Sequence, residues 1–203
     1  MAKYKTIFDA PWLNTPSPFD NLDDDLKKII IFFVFHTPVV GVSVRGEKLA
    51  HFGWGVDDKQ KLNDFNKLKK RLIDFSTMDK KSFTFVTNDN DMEQALKDND
   101  LLTNFPSQLN KERLTFKKRD GTIGNMLRRL RNAFAHGRLC FHEINGEIVV
   151  VLEDIDQNRV VTGRMILKKT TLLRWIDIIQ KGPKITDKEL KELFGLEQPQ
   201  CQN

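Results

Sequence analysis

The stretch LCFHEINGEIVVVLEDIDQNRVVTGRMIL, residues 139–167, decides what kind of fold the chain makes. It is rich in β-branched residues. Asn145-Gly146 is the dipeptide of a two-residue hairpin turn, set between LCFHEI and EIVVVLEDI. Asp156-Gln157-Asn158 marks a second turn, leading to a third strand. On either side the pattern turns helical: GTIGNMLRRLRNAFAH comes before and TTLLRWIDIIQK after. Gly137 supplies a stop for the first helix, because glycine accepts the left-handed conformation common just past a helix end. Gly182-Pro183 ends the second. The spacing therefore predicts a mainly α protein with a β-hairpin or small β-meander, about residues 139–167, inserted after a long helix.

Outward from there, TDKELKELF opens with a capping box, Thr186 and Glu189, and EQPQCQN, the last residues, reads as a disordered tail over 197–203. Upstream, residues 1–18 hold three prolines and read as an irregular arm. FDNLDDDLKKIIIFFVFHTP predicts a helix capped by Asp20 or Asn21, with an acidic first turn suited to the helix dipole and Pro38 limiting its end. Its second half is apolar on every side, which asks for burial by several neighbours or by a partner subunit; a strand fits the same run. Residues 39–56 read as loop with room for a short strand. DDKQKLNDFNKLKKRLIDF carries Leu62, Phe65, Leu68, Leu72 and Phe75 at helical spacing, KSFTFVTN suits a short strand and DNDMEQALKDNDLL a short helix. From Pro106 to Lys118 the chain reads as an ill-defined connection. No repeat breaks the chain up, so residues 1–196 are expected to form one domain.

Composition narrows the function classes. With 33 Lys+Arg against 28 Asp+Glu, the net charge is +5 and the pI about 9.1, a balance that suits a polyanionic partner if the charge is clustered. Two cysteines, Cys140 and Cys201, are too few for a disulfide framework and fit a reducing, cytoplasmic setting. The N-terminal MAKYKTIFDAPWLN lacks an apolar core for a secretory signal. IIIFFVF is far shorter than the roughly 20 residues that span a bilayer, so no membrane association is expected.

The candidate chemistry lies on the helix before the β-stretch. On a wheel of roughly 100° per residue, Leu127, Leu130 and Phe134 fall within about 40° of Ile123 and form the core stripe. Asn132 and His136 lie opposite, neighbours at i,i+4. Asn125, Arg128 and Arg129 share that polar side, and Arg131 lies at its edge. A histidine off the core stripe, with arginines around it, suits RNA cleavage. RNA carries its own nucleophile, the 2′-OH. Cleavage then needs a proton acceptor, a proton donor and positive charge on the phosphorane. Histidine titrates near neutral pH, and a guanidinium holds two phosphate oxygens at once.

RNAFAH, an arginine followed by a polar residue and then a histidine four residues further on, resembles the signature of the HEPN superfamily (higher eukaryotes and prokaryotes nucleotide-binding). The longer LRRLRNAFAHGRL, ahead of a hairpin and a further helix, resembles prokaryotic HEPN proteins of plasmids and defence loci. The resemblance implies a compact helical bundle, a homodimer in which two motif helices meet, and a metal-independent endoribonuclease cutting single-stranded RNA as a toxin or phage-defence effector, with a neutralising antitoxin partner. It assigns Arg131, Asn132 and His136 as catalytic, and leaves Arg128, Arg129 and Arg138 to track the RNA backbone. The alternative is a HEPN module that binds RNA, nucleotide or a protein without cutting. No cofactor and no metal is expected. His51, His136 and His142 show no i,i+4 pairing for zinc, GTIGN lacks the Lys-Ser/Thr of a phosphate-binding loop, and GVSVRG lacks nucleophile-elbow spacing. Asp23–Asp25 reads as the acidic first turn of a helix. His142, on a strand, is a minor catalytic candidate.

Overall fold

A computed structural model describes residues 22–102, 108–118 and 121–196. The arm at 1–18, the caps expected at Asp20 or Asn21, the tail at 197–203 and Cys201 lie outside them.

Helix α1 (Asp24–Ile31) starts at Asp23, whose carboxylate accepts the Leu26 amide at 2.7 Å. That caps one of the orphan amides of the first turn. Lys169 pairs with Asp23 and Asp25, fixing this end to a later helix. The apolar run then widens into a π-helical turn, Phe32–His36. Phe32 and Phe33 are buried, and Phe33 stacks on Phe134 at 5.4 Å. Burial is not all-round, however, since Ile31 and Phe35 remain exposed. Residues 39–56 form no strand. They hold a 3-10 turn, Leu49–Phe52, that leads to Trp54, which is buried and donates its indole N–H to the Ile179 carbonyl at 2.9 Å.

Next come α2 (Lys61–Asp74), β1 (Phe83–Val86), α3 (Met92–Asp98), β2 (Arg113–Lys117), α4 (Thr122–Ala135), β3 (Leu139–Ile144), β4 (Glu147–Ile155), β5 (Val161–Lys168), α5 (Lys169–Lys181) and α6 (Asp187–Leu193). The strands form one sheet in the order β1-β2-β5-β4-β3. β1 and β2 run parallel, joined through α3, and every other pairing is antiparallel. This corrects the expectation of a mainly α, HEPN-like bundle with a β-insert: the fold is α/β around a mixed sheet. The β-stretch at 139–167 is not an appendage. Its last strand, β5, is the buried central strand of the sheet, and β2 pairs along β5's other edge through Leu114↔Met165 and Phe116↔Gly163. RLTFK, inside the supposed connection after Pro106, closes the gap between that meander and β1.

Helices cover both faces of the sheet. Leu114, Phe116, Val150, Leu152, Met165 and Leu167 face a core shared with α1, α2, α4 and α5. Val149, Val151 and Ile166 face Met92, Ala95 and Leu96 of α3. The local signals at the ends of these elements form as expected. Asn145 (φ 53°) and Gly146 (φ 76°) make the hairpin turn, and Thr186 and Glu189 complete their capping box. Among the described residues no helix is long and apolar enough to cross a membrane.

Candidate functional site

α4 sets the site. It ends at Ala135, and Gly137 at φ 63° lets the Arg138 amide return to the Ala133 carbonyl at 2.8 Å. That closes the helix with His136 exposed at its C-terminus. Looking back along the helix from His136, every three or four residues, one meets Asn132, Arg128, Asn125 and Gly121. All of these line one wall of a cleft of about 990 Å³. The facing walls come from four other segments: the loop Pro38–Val40, the 3-10 turn with Lys48, the start of α2 with Lys61 and Phe65, and the β4–β5 turn around Asp156. Trp54, tied to α5, lies beneath. Lys48, Lys61, Lys117 and Arg128 against Asp156 leave the lining basic.

The structure divides the six residues chosen from sequence. His136, Asn132, Arg128 and Arg129 all line the cleft; Arg128 is exposed, with Nη2 3.4 Å from the Val40 carbonyl. Arg131 does not line it. Its Nη1 approaches the Asn132 side-chain oxygen at 3.4 Å, so it meets the site through Asn132.

Arg129 and Arg138, expected to track a phosphate backbone, are both paired with carboxylates of the sheet. Arg129 lines the cleft but is itself buried; its Nη1 donates to Asp154 Oδ2 at 2.8 Å and to Thr162 Oγ1 at 3.1 Å. Arg138 donates to Glu153 Oε1 at 2.5 Å, and the same buried carboxylate accepts Arg164 Nε at 2.9 Å. A guanidinium held by a buried carboxylate cannot leave it for a phosphate without stranding that charge. The wheel treated Arg129 as polar-facing because it knew only the helix; the sheet reaches round beneath that side.

His142 lies on β3, outside the cleft lining. Its Nε2 is 3.4 Å from Cys140 Sγ. Burial pushes the Cys140 thiol up to about 12 and holds the His142 imidazole below its usual value. The pair is thus a neutral thiol beside an imidazole that resists protonation, not a thiolate nucleophile. Among the described residues no three His, Cys, Asp or Glu side chains gather as metal ligands do.

What sequence reading missed is the rest of the cleft. Lys48, Lys61, Phe65 and Asp156 carry no motif. Only the helical spacing of Lys61 and Phe65 hinted that those two share a face. Comparison with protein-family models, with curated proteins and with solved structures returned no match.

Proposed function

We propose that this protein binds single-stranded RNA in the cleft and cleaves it by transesterification from the 2′-OH. The observation that carries this reading is the alignment of Arg128, Asn132 and His136 along one wall of a basic cleft. In this reading Arg128 holds the non-bridging phosphate oxygens and its charge opposes the charge that builds on the phosphorane. Asn132 donates a hydrogen bond to the same phosphate. His136 is the lining histidine among the described residues and accepts the 2′-OH proton. The 2′-oxygen bonds to phosphorus as the bond to the 5′-oxygen breaks, and the departing oxygen takes a proton from solvent. The products are a 2′,3′-cyclic phosphate and a 5′-hydroxyl. Arg131, matched by the motif, acts through Asn132 as a positioning residue.

The test is incubation of the purified protein with single-stranded RNA in the presence of chelator. Expected is cleavage with cyclic-phosphate ends, abolished when the attacking 2′-OH is replaced by hydrogen. Cutting of DNA, or loss of activity in chelator, overturns the mechanism. A second reading, binding of RNA or nucleotide without cleavage, draws support from the lining, where among the described residues His136 has no second imidazole beside it to act as the acid. Tight binding with intact RNA would decide for it. A homodimer belongs to the first reading, since a second copy brings a second His136, and Ile31 and Phe35 expose apolar surface. Sedimentation measures it directly.

A further inference from the structure

The cleft does not end at Phe65. Lys61, Phe65 and Lys69 follow one another at intervals of four along α2, a run of about 12 Å on one side of the helix. Lys61 and Phe65 line the cleft. Lys69, one turn further, lies with its ammonium 5.3 Å from the Phe83 ring centre and 5.1 Å from that of Phe85. Lys118 covers Phe85 as well, at 4.8 Å. Lys118 is also the next residue after Lys117, another lining residue, and its amide is fixed to the Val86 carbonyl at 2.8 Å. Two covalent paths, along α2 and along β2, therefore lead from the cleft to the same half-buried ring. Phe85 is held from behind by Phe116, ring centres 6.2 Å apart, so it is a fixed platform.

We propose that a single RNA strand bound in the cleft continues over this track, with Lys69 and Lys118 meeting its phosphates and Phe85 meeting a base. The proposal rests on the cleft reading above and names the form of its substrate: unpaired, and several nucleotides longer than the cleft holds. Lysines beside an aromatic ring suit a single strand in particular. Its bases offer free faces for stacking, whereas a duplex buries them. When a strand arrives, each ammonium exchanges its ring contact for a phosphate, and the ring face it leaves receives a base.

The test is binding of uncleavable 2′-O-methyl oligouridylates, four and twelve nucleotides long, to the full-length protein across a salt series. The wild type is expected to bind the twelve-mer about tenfold or more tightly than the four-mer. Lys69→Ala with Lys118→Ala should remove this length advantage and make the twelve-mer's log–log salt slope shallower by about 1.4, the release expected for two phosphate contacts on a single strand. Phe85→Leu keeps the apolar packing on Phe116, and should reduce the length advantage with the slope unchanged. A double variant that matches wild type in both affinity and slope overturns the track and leaves the cleft reading standing. Wild-type protein that binds neither oligomer overturns both. Polyglutamate displacing the twelve-mer as effectively as polyuridylate does would mean an acidic protein is the partner of this surface, and the RNA track would be abandoned.

Discussion

Arg128 and Arg129 are adjacent in sequence and opposite in use. Arg128 stands exposed in the cleft, with its Nη2 3.4 Å from the Val40 backbone carbonyl. Arg129 lines the same cleft but lies buried, joining α4 to the sheet through Asp154 and Thr162. The sheet beneath holds more such pairs: Glu153 takes Arg138 and Arg164 together, and Arg164 also reaches the Leu101 carbonyl at 2.7 Å. The basic excess of this chain is thus of two kinds. One part is neutralised inside and holds elements in register. The other part, Arg128 and the lysines of the cleft lining, rims an opening where an anion can reach it. Net charge alone does not separate them.

The comparison breaks most visibly at Arg129. Arg129→Met should cost about 3–5 kcal/mol, because Asp154, 2% exposed, then lacks its cation. Urea titration measures it. Adding Asp154→Leu should restore much of the loss, since an apolar pair of similar volume replaces a buried ion pair at little cost. If the single variant is as stable as wild type, Arg129 is not the strut described.

Arg128→Ala should do the reverse. Its stability is expected within about 0.5 kcal/mol of wild type, as for most surface substitutions, while RNA cleavage falls about a hundredfold with the loss of a charge-assisted contact to the phosphate. Arg131→Ala sharpens the contrast between motif and geometry: acting through Asn132, it should lower kcat less than Arg128→Ala does. A larger loss at Arg131 than at Arg128 would return the catalytic guanidinium to the motif position.

A smaller effect comes from β3. Burial holds the His142 imidazole below its ordinary value of 6.5, so the unfolded chain takes up a proton that the folded chain refuses. Its share of stability is full above that value and is lost as pH falls below it. Cys140 works in the other direction. Its thiol, raised from 9.0 to about 12, keeps a proton that the unfolded chain gives up, so stability declines as pH rises between those values. His142→Gln should flatten the acid limb of a thermal-stability profile and leave the alkaline limb in place. An unchanged acid limb would remove His142 as its cause.

The sequence by itself determined the features that depend on near neighbours. Asn145-Gly146 dictates its turn because both residues tolerate positive φ, Thr186 and Glu189 cap each other across three residues, and α4 shows its core stripe because Ile123, Leu127, Leu130 and Phe134 recur at helical spacing. His136 and Asn132 were legible for the same reason, as neighbours on one turn. Tertiary structure alone decided the architecture and the completeness of the site. RLTFK is a strand because β5 lies beside it, more than forty residues later in the chain, and a five-residue run with two basic side chains announces no such partner. Arg129 is buried because Asp154 and Thr162 come to it from the sheet, and Arg128 rather than Arg131 joins His136 because the cleft opens on that side of α4. Hydrogen bonds between strands and burial between layers join residues with no fixed spacing, so no local pattern in the chain records which of its charges will be enclosed and which will face an open cleft.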